Sequence, residues 1–139
     1  MERLRSTTIA VALLFGSTLL GGCMTTHGMT DAERLEAFQA HAGEPVKKVR
    51  YYNPIAWDDI DGSHLVITMR PNEQYLMRLS GSCLDWGSGP PLISISSMTG
   101  YVTAGLDRLK VAGSQLVCRI EEIRPVDVGA MRADQVSGT

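Results

Sequence analysis

His64-Leu65-Val66-Ile67-Thr68-Met69-Arg70, then Pro71-Asn72-Glu73, then Gln74-Tyr75-Leu76-Met77-Arg78-Leu79-Ser80, carries the clearest structural signal in the chain. Leu65, Ile67 and Met69 alternate with Val66, Thr68 and Arg70; past the turn, Tyr75, Met77 and Leu79 alternate with Leu76, Arg78 and Ser80. A period of two puts one set of side chains on each face of an extended chain. The stretch therefore predicts a β-hairpin.

Outward from the hairpin the same period recurs in shorter pieces. Val49-Arg50-Tyr51-Tyr52 reads as a strand that Asn53-Pro54 breaks, and Ile55-Ala56-Trp57 leads into Asp58-Asp59-Ile60-Asp61-Gly62-Ser63, which reads as an acidic turn-rich loop. Downstream, Ile93 with Ile95, Tyr101-Val102-Thr103, and Leu109 with Val111 between Arg108 and Lys110 mark further strands. Leu116, Cys118 and Ile120 alternate with Val117, Arg119 and Glu121, which points Cys118 inward with Leu116 and Ile120, and Ile123 to Asp127 closes the domain. One helix precedes the strands. Thr30-Asp31-Ala32-Glu33 has the capping-box form, apolar residues follow at helical spacing through Leu35 and Phe38 to Ala42, and Gly43 stops it. The fold class expected is mainly β: a single small β-barrel or β-sandwich of six or seven short antiparallel strands with one N-terminal helix. The domain runs over residues 30–127, and residues 128–139, which lack periodicity, are expected to form a flexible tail.

The N-terminus is organised differently. Arg3 and Arg5 precede the apolar run Ile9 to Leu20, which is too short to span a bilayer, so residues 1–22 read as a secretory signal peptide. Leu20-Gly21-Gly22-Cys23 resembles the lipobox of bacterial lipoproteins. That resemblance implies a diacylglycerol on the Cys23 sulfur, cleavage before Cys23 and acylation of the new N-terminus. Several acyl chains on one residue anchor stably. Met24 in place of Asp implies, by the same resemblance, sorting to the outer membrane on its periplasmic face. Residues 23–29 would be a tether.

With Cys23 given to lipid, two of the three cysteines remain, in an oxidising compartment; Cys83 and Cys118 are expected to form one disulfide.

Bulk numbers narrow the function classes. Without residues 1–22 the chain has 11 basic and 14 acidic side chains, a net of about −3, and no basic stripe of the kind that binds nucleic acid. The one basic cluster, Lys47-Lys48 with Arg50, reads as a solvated strand edge. Asp58, Asp59 and Asp61 before Gly62 suggest calcium, but the twelve-residue calcium loop would require an Asp where Trp57 stands and a Glu where Thr68 stands. His27, His41 and His64 lack ligand spacing, and no serine sits in a nucleophile elbow. Tyr51, Tyr52, Trp57, Tyr75 and Tyr101 read as core or cross-strand packing, with a sugar or peptide groove as the alternative. No cofactor, metal or catalytic residue is expected.

Trp57, then Tyr75-Leu76-Met77 before Cys83, then Asp107 with Leu109 and Val111, then Cys118-Arg119-Ile120 ahead of Ile123-Arg124-Pro125-Val126-Asp127, resemble a family of small uncharacterised envelope proteins of Gram-negative bacteria, a domain of unknown function. The resemblance covers roughly residues 46 to 127, supports the disulfide and the β-rich fold, and carries over no catalytic residue. The expected role is a lipid-anchored, non-catalytic binding or structural module of the envelope, touching the membrane through Cys23 and a possible envelope protein through a strand edge and the Gly87 to Pro91 loop. Two rivals are an envelope hydrolase using Asp59, Asp61 or Asp107, and a small-ligand carrier using the interior of the barrel.

Overall fold

The computed structural model describes residues 28–84, 92–97 and 99–137. The expected signal peptide over 1–22, the lipid-bearing Cys23, most of the 23–29 tether and the Gly87 to Pro91 loop lie outside the described residues.

The hairpin expected from the sequence is the centre of the fold. It forms strands β3 (His64–Arg70) and β4 (Glu73–Leu79), joined by a two-residue turn at Pro71 and Asn72. The remaining strands in chain order are β1 (Lys48–Arg50), β2 (Ala56–Asp61), β5 (Ile93–Ile95), β6 (Tyr101–Thr103), β7 (Arg108–Val111) and β8 (Val117–Val126). Helix α1 (Asp31–Ala40) precedes them and helix α2 (Val128–Ser137) follows. Six strands form an antiparallel sheet in the order β2-β3-β4-β8-β7-β5; β1 and β6 pair separately as a two-stranded ribbon.

The fold is thus mainly β, with eight strands and two helices among the described residues, where six or seven strands and one helix were expected. The large sheet curls into a half-barrel and does not close, because β2 and β5 are left as its edges. The interior that a barrel-type carrier would need is filled by Leu65, Ile67, Met77, Leu109, Ile120 and Ile123, all without solvent exposure.

Both faces of the central strands are covered, which is why Leu65, Val66 and Ile67 are all buried. Leu65, Ile67, Met69, Met77 and Leu79 face the ribbon side, where Val49 and Val102 pack down on them. Val66 and Leu76 face the other way, with Ile60 and Val126, and are capped by Leu35 and Phe38 of α1 and Met131 of α2. Helix α1 begins as its sequence dictates: the Thr30 side chain accepts from the Glu33 amide and the Glu33 carboxylate accepts from the Thr30 amide. The Glu33 carboxyl is held below its ordinary range by these bonds, first from the Thr30 backbone and then from its side chain.

The structure departs from three further expectations. Residues 58–61 are strand, not loop. Trp57 packs towards the ribbon-side core, and Ile60, at the bulge between Asp59 and Asp61, is buried on the helix side. Acidic residues on an edge strand also discourage pairing with another chain. Second, the expected flexible tail is helix α2. Asp127 caps it by accepting from the Ala130 amide at 2.9 Å, Val128 and Met131 sit on the apolar cluster, and Arg132 donates to Asn72 Oδ1 (3.1 Å) and to the Pro71 carbonyl (3.2 Å). Third, Leu116 does not point inward with Cys118: it is 53 % exposed, just before β8 begins at Val117.

Strand β8 changes partner and phase along its length. Its first residues pair with β7, whereas further on the chain after α1 crosses it, with Gly43 donating to the Pro125 carbonyl and Val46 to that of Ile123, both at 2.8 Å. A Cβ at position 43 would stand 3.3 Å from the Pro125 ring, so this close crossing favours glycine. Register with β4 slips at Glu121, moving the buried set from Cys118 and Ile120 to Ile123. The extra residue lets Glu121 and Glu122 both meet Arg78.

Candidate functional site

The ribbon supplies the most distinctive surface. Alternation along β1 and β6 sends Val49 and Val102 into the core, so Lys48, Arg50, Tyr101 and Thr103 lie on the opposite face. Lys48 Nζ sits 5.0 Å from the centre of the Tyr101 ring, and the Arg50 guanidinium 5.9 Å from that of Tyr52. Arg70, delivered from the far end of β3, approaches the same Tyr52 ring at 4.7 Å. Cations over ring faces are held in place by the ring quadrupole. The strip also contains one carboxylate: Glu73 lies 3.7 Å from Arg70 Nε and accepts from the Tyr75 hydroxyl at 2.8 Å. Burial, then the adjoining Glu73 and Tyr52, push the Tyr75 phenol up to about 12, so it stays a donor at physiological pH. Contact with Tyr52 and then Tyr101 raises Arg50 further above its already high value. Ile55 and Leu106 are exposed by 63 % and 71 %.

A cleft of about 470 Å³ adjoins the strip, lined by Ser96, Tyr101, Thr103, Leu106, Asp107 and Arg108 among others. Its carboxylate is committed. Asp107, only 8 % exposed, accepts from the Ser96 hydroxyl at 2.9 Å and the Thr103 amide at 2.7 Å, while its carbonyl accepts from the Ile120 amide. It ties three segments together, which accounts for a buried acid without invoking catalysis. A cavity of about 510 Å³ lies where α1, the crossing at 41–43 and the start of α2 meet. Its polar groups are also engaged, Asp127 as helix cap and His41 at 3.1 Å from Asp134.

The remaining acids proposed from sequence do not join Asp107. Asp59 is exposed on edge strand β2. Asp61 accepts from the Ser63 and His64 amides at 2.7 and 2.8 Å and lies 2.9 Å from His64 Nδ1. β2 and β7 are separated by β3, β4 and β8, about 19 Å measured along the sheet. Among the described residues no group of three His, Cys, Asp or Glu side chains gathers as a metal site.

For Asp61, burial alone would raise the carboxyl, but the Ser63 amide, the His64 ring and the Ser63 hydroxyl outweigh it and hold it below its ordinary 3.8. A depressed carboxyl stabilises the fold above its unfolded value, and that contribution is lost as pH falls through the folded one. Asp61→Asn should therefore leave the stability curve below pH about 3.8 flatter than in the parent; parallel acid limbs in urea titrations would contradict this.

Cys83 and Cys118 form a disulfide with Cα atoms 6.1 Å apart. The class defined is a disulfide-closed, mainly β domain that presents a cation-over-tyrosine face. The chain belongs to the family of unknown function DUF6491, whose model matches residues 6–138. No curated protein and no solved structure matches it.

In the sequence Lys48 and Arg50 read as a solvated edge, and nothing local connects Arg70 to Tyr52. The tyrosines read there as core or as groove, one or the other. Tyr52 and Tyr75 are both at once, packed on the ribbon-side core below and bonded to charged groups above.

Proposed function

We propose that this chain is a lipid-anchored protein of the periplasmic face of the outer membrane, held through acyl chains on Cys23, and that it works as a non-catalytic binding or structural module of the cell envelope. The observation that carries the binding role is the strip of Lys48, Arg50 and Arg70 laid over Tyr101 and Tyr52. A chain of net negative charge concentrates fixed cations there, and exposed ordered charge beside aromatic rings is a recognition surface. The lipobox-like Leu20-Gly21-Gly22-Cys23 supports the anchor, and a disulfide between Cys83 and Cys118 suits an oxidising compartment.

A photo-crosslinking amino acid at position 50 of the exported chain tests the binding role. An adduct with an envelope component, whether protein, glycan or lipid, is expected from this position, and its yield should fall with Arg70→Glu. Recovery of the unmodified chain alone under every growth condition rejects it. Intact mass of the exported chain tests the anchor, which requires the acylated species beginning at Cys23.

A further inference from the structure

Resting on that anchored reading, we infer that the component met by the strip is the anionic phospholipid surface itself. The ribbon lays the domain down on the membrane that its acyl chains enter. Three features of the strip match that surface, and the first of them matches no neutral one. Lys48, Arg50 and Arg70 outnumber the two carboxylates described beside them, Glu73 against Arg70 and the buried Asp107 of the adjoining cleft. Tyr52 and Tyr101 are half-buried rings with polar tips, the side-chain type that settles at a lipid–water boundary. Ile55, 63 % exposed three residues after Tyr52, and Leu106, 71 % exposed in the turn after β6, are exposed apolar groups that can enter below the headgroups.

Arginine suits this role while stacked, because a guanidinium over a ring keeps its N–H edge for phosphate oxygens. The opposite sign is placed elsewhere: Asp58 and Asp59 are exposed on β2, where Asp58 pairs with Arg34 of α1 at 2.7 Å. Seven residues, 23–29, extend at most about 25 Å from the lipid to the start of α1 at Thr30. Helix α1 packs on the face of the sheet opposite the ribbon, and its Arg34 pairs with Asp58 of edge strand β2, so the tether has to pass that edge for the strip to meet the same membrane.

The test uses the exported chain reconstituted through its own acyl groups into phosphatidylcholine vesicles, with and without phosphatidylglycerol. Hydrogen exchange of peptides covering residues 48–55 and 101–106 should slow when phosphatidylglycerol is present, and recover in high salt. Removing one cation should weaken docking about fivefold, as one charge near an anionic surface is worth. Arg50→Gln with Arg70→Gln should therefore abolish most of the protection, and Arg50→Glu with Arg70→Glu all of it, while exchange in β3 and β4 is unchanged. Equal exchange in both vesicle types overturns the proposal. So does protection that appears only on adding isolated cell-wall glycan, which would make the partner a polysaccharide. A chain lacking acyl mass overturns the anchor instead; flotation of that same chain with the two vesicle types then decides the strip separately, binding to the anionic vesicles supporting it and no binding rejecting it.

Discussion

Replacing Cys83 and Cys118 together by alanine is expected to lower the stability of the domain by about 4 kcal/mol and its melting temperature by roughly 10–20 °C. The two cysteines are 35 residues apart, and closing a loop of that size removes about 4 kcal/mol of unfolded-chain entropy. Packing adds to this loss, because both side chains are buried, at 2 % and 9 % exposure, and alanine keeps each Cβ but vacates two adjoining sulfurs. The sheet does not need the bond for its register. The Ser80 amide donates to the Arg119 carbonyl at 2.9 Å and the Arg119 amide to the Ser80 hydroxyl at 3.1 Å, so β4 and β8 are already tied beside it. The double variant should therefore fold to the same structure with a lower midpoint in urea and an unchanged native spectrum. Reducing the parent protein keeps both sulfurs and so isolates the entropic part, and a loss on reduction of under about 1 kcal/mol would reject the entropic account. A domain of this size has only some 5–15 kcal/mol in hand, so the variant should also accumulate poorly where proteases act on the unfolded chain.

The parts of this fold that could be read from sequence are those whose signal is local. The β3–β4 hairpin is written in alternating large apolar residues, and α1 in a capping box that closes within three residues. What was not legible depends on partners distant in sequence. Asp58 to Asp61 has turn composition, and becomes strand because Ile60 is buried against Val66 and Leu76. Val128 to Ser137 has few apolar anchors, and becomes a helix because Phe38 and Val126 provide a floor for Met131. At Glu121 the period of two fails through a bulge, which no pattern of hydrophobicity in β8 announces. The strip follows the same rule. Its β1 half was visible as Lys47-Lys48 with Arg50, and its other half, Arg70, belongs to it only because β3 ends beside Tyr52.

Ile67→Ala should be nearly as damaging as loss of the disulfide, at about 3–4 kcal/mol. Ile67 has no exposure, and it stands directly opposite Trp57 on β2 and Tyr75 on β4, so three strands meet at its side chain. Truncation removes the transfer energy of three methyl or methylene carbons and leaves a cavity. The surroundings cannot readily fill it, because Leu65, Met69 and Met77 are held by their own cross-strand packing. The same substitution at Ile55, which is 63 % exposed, should move stability by no more than about 0.5 kcal/mol. Urea midpoints of the two variants give the contrast directly. Exchange of the β2 amides adds the structural reading, because loss of the Ile67 side chain should loosen edge strand β2 before it loosens β4, which has β8 on its other side. Ile55→Ala serves a second purpose. If the strip docks on anionic lipid, this variant should keep its full stability and still bind vesicles less tightly, separating the surface contribution of an isoleucine from its contribution to the core.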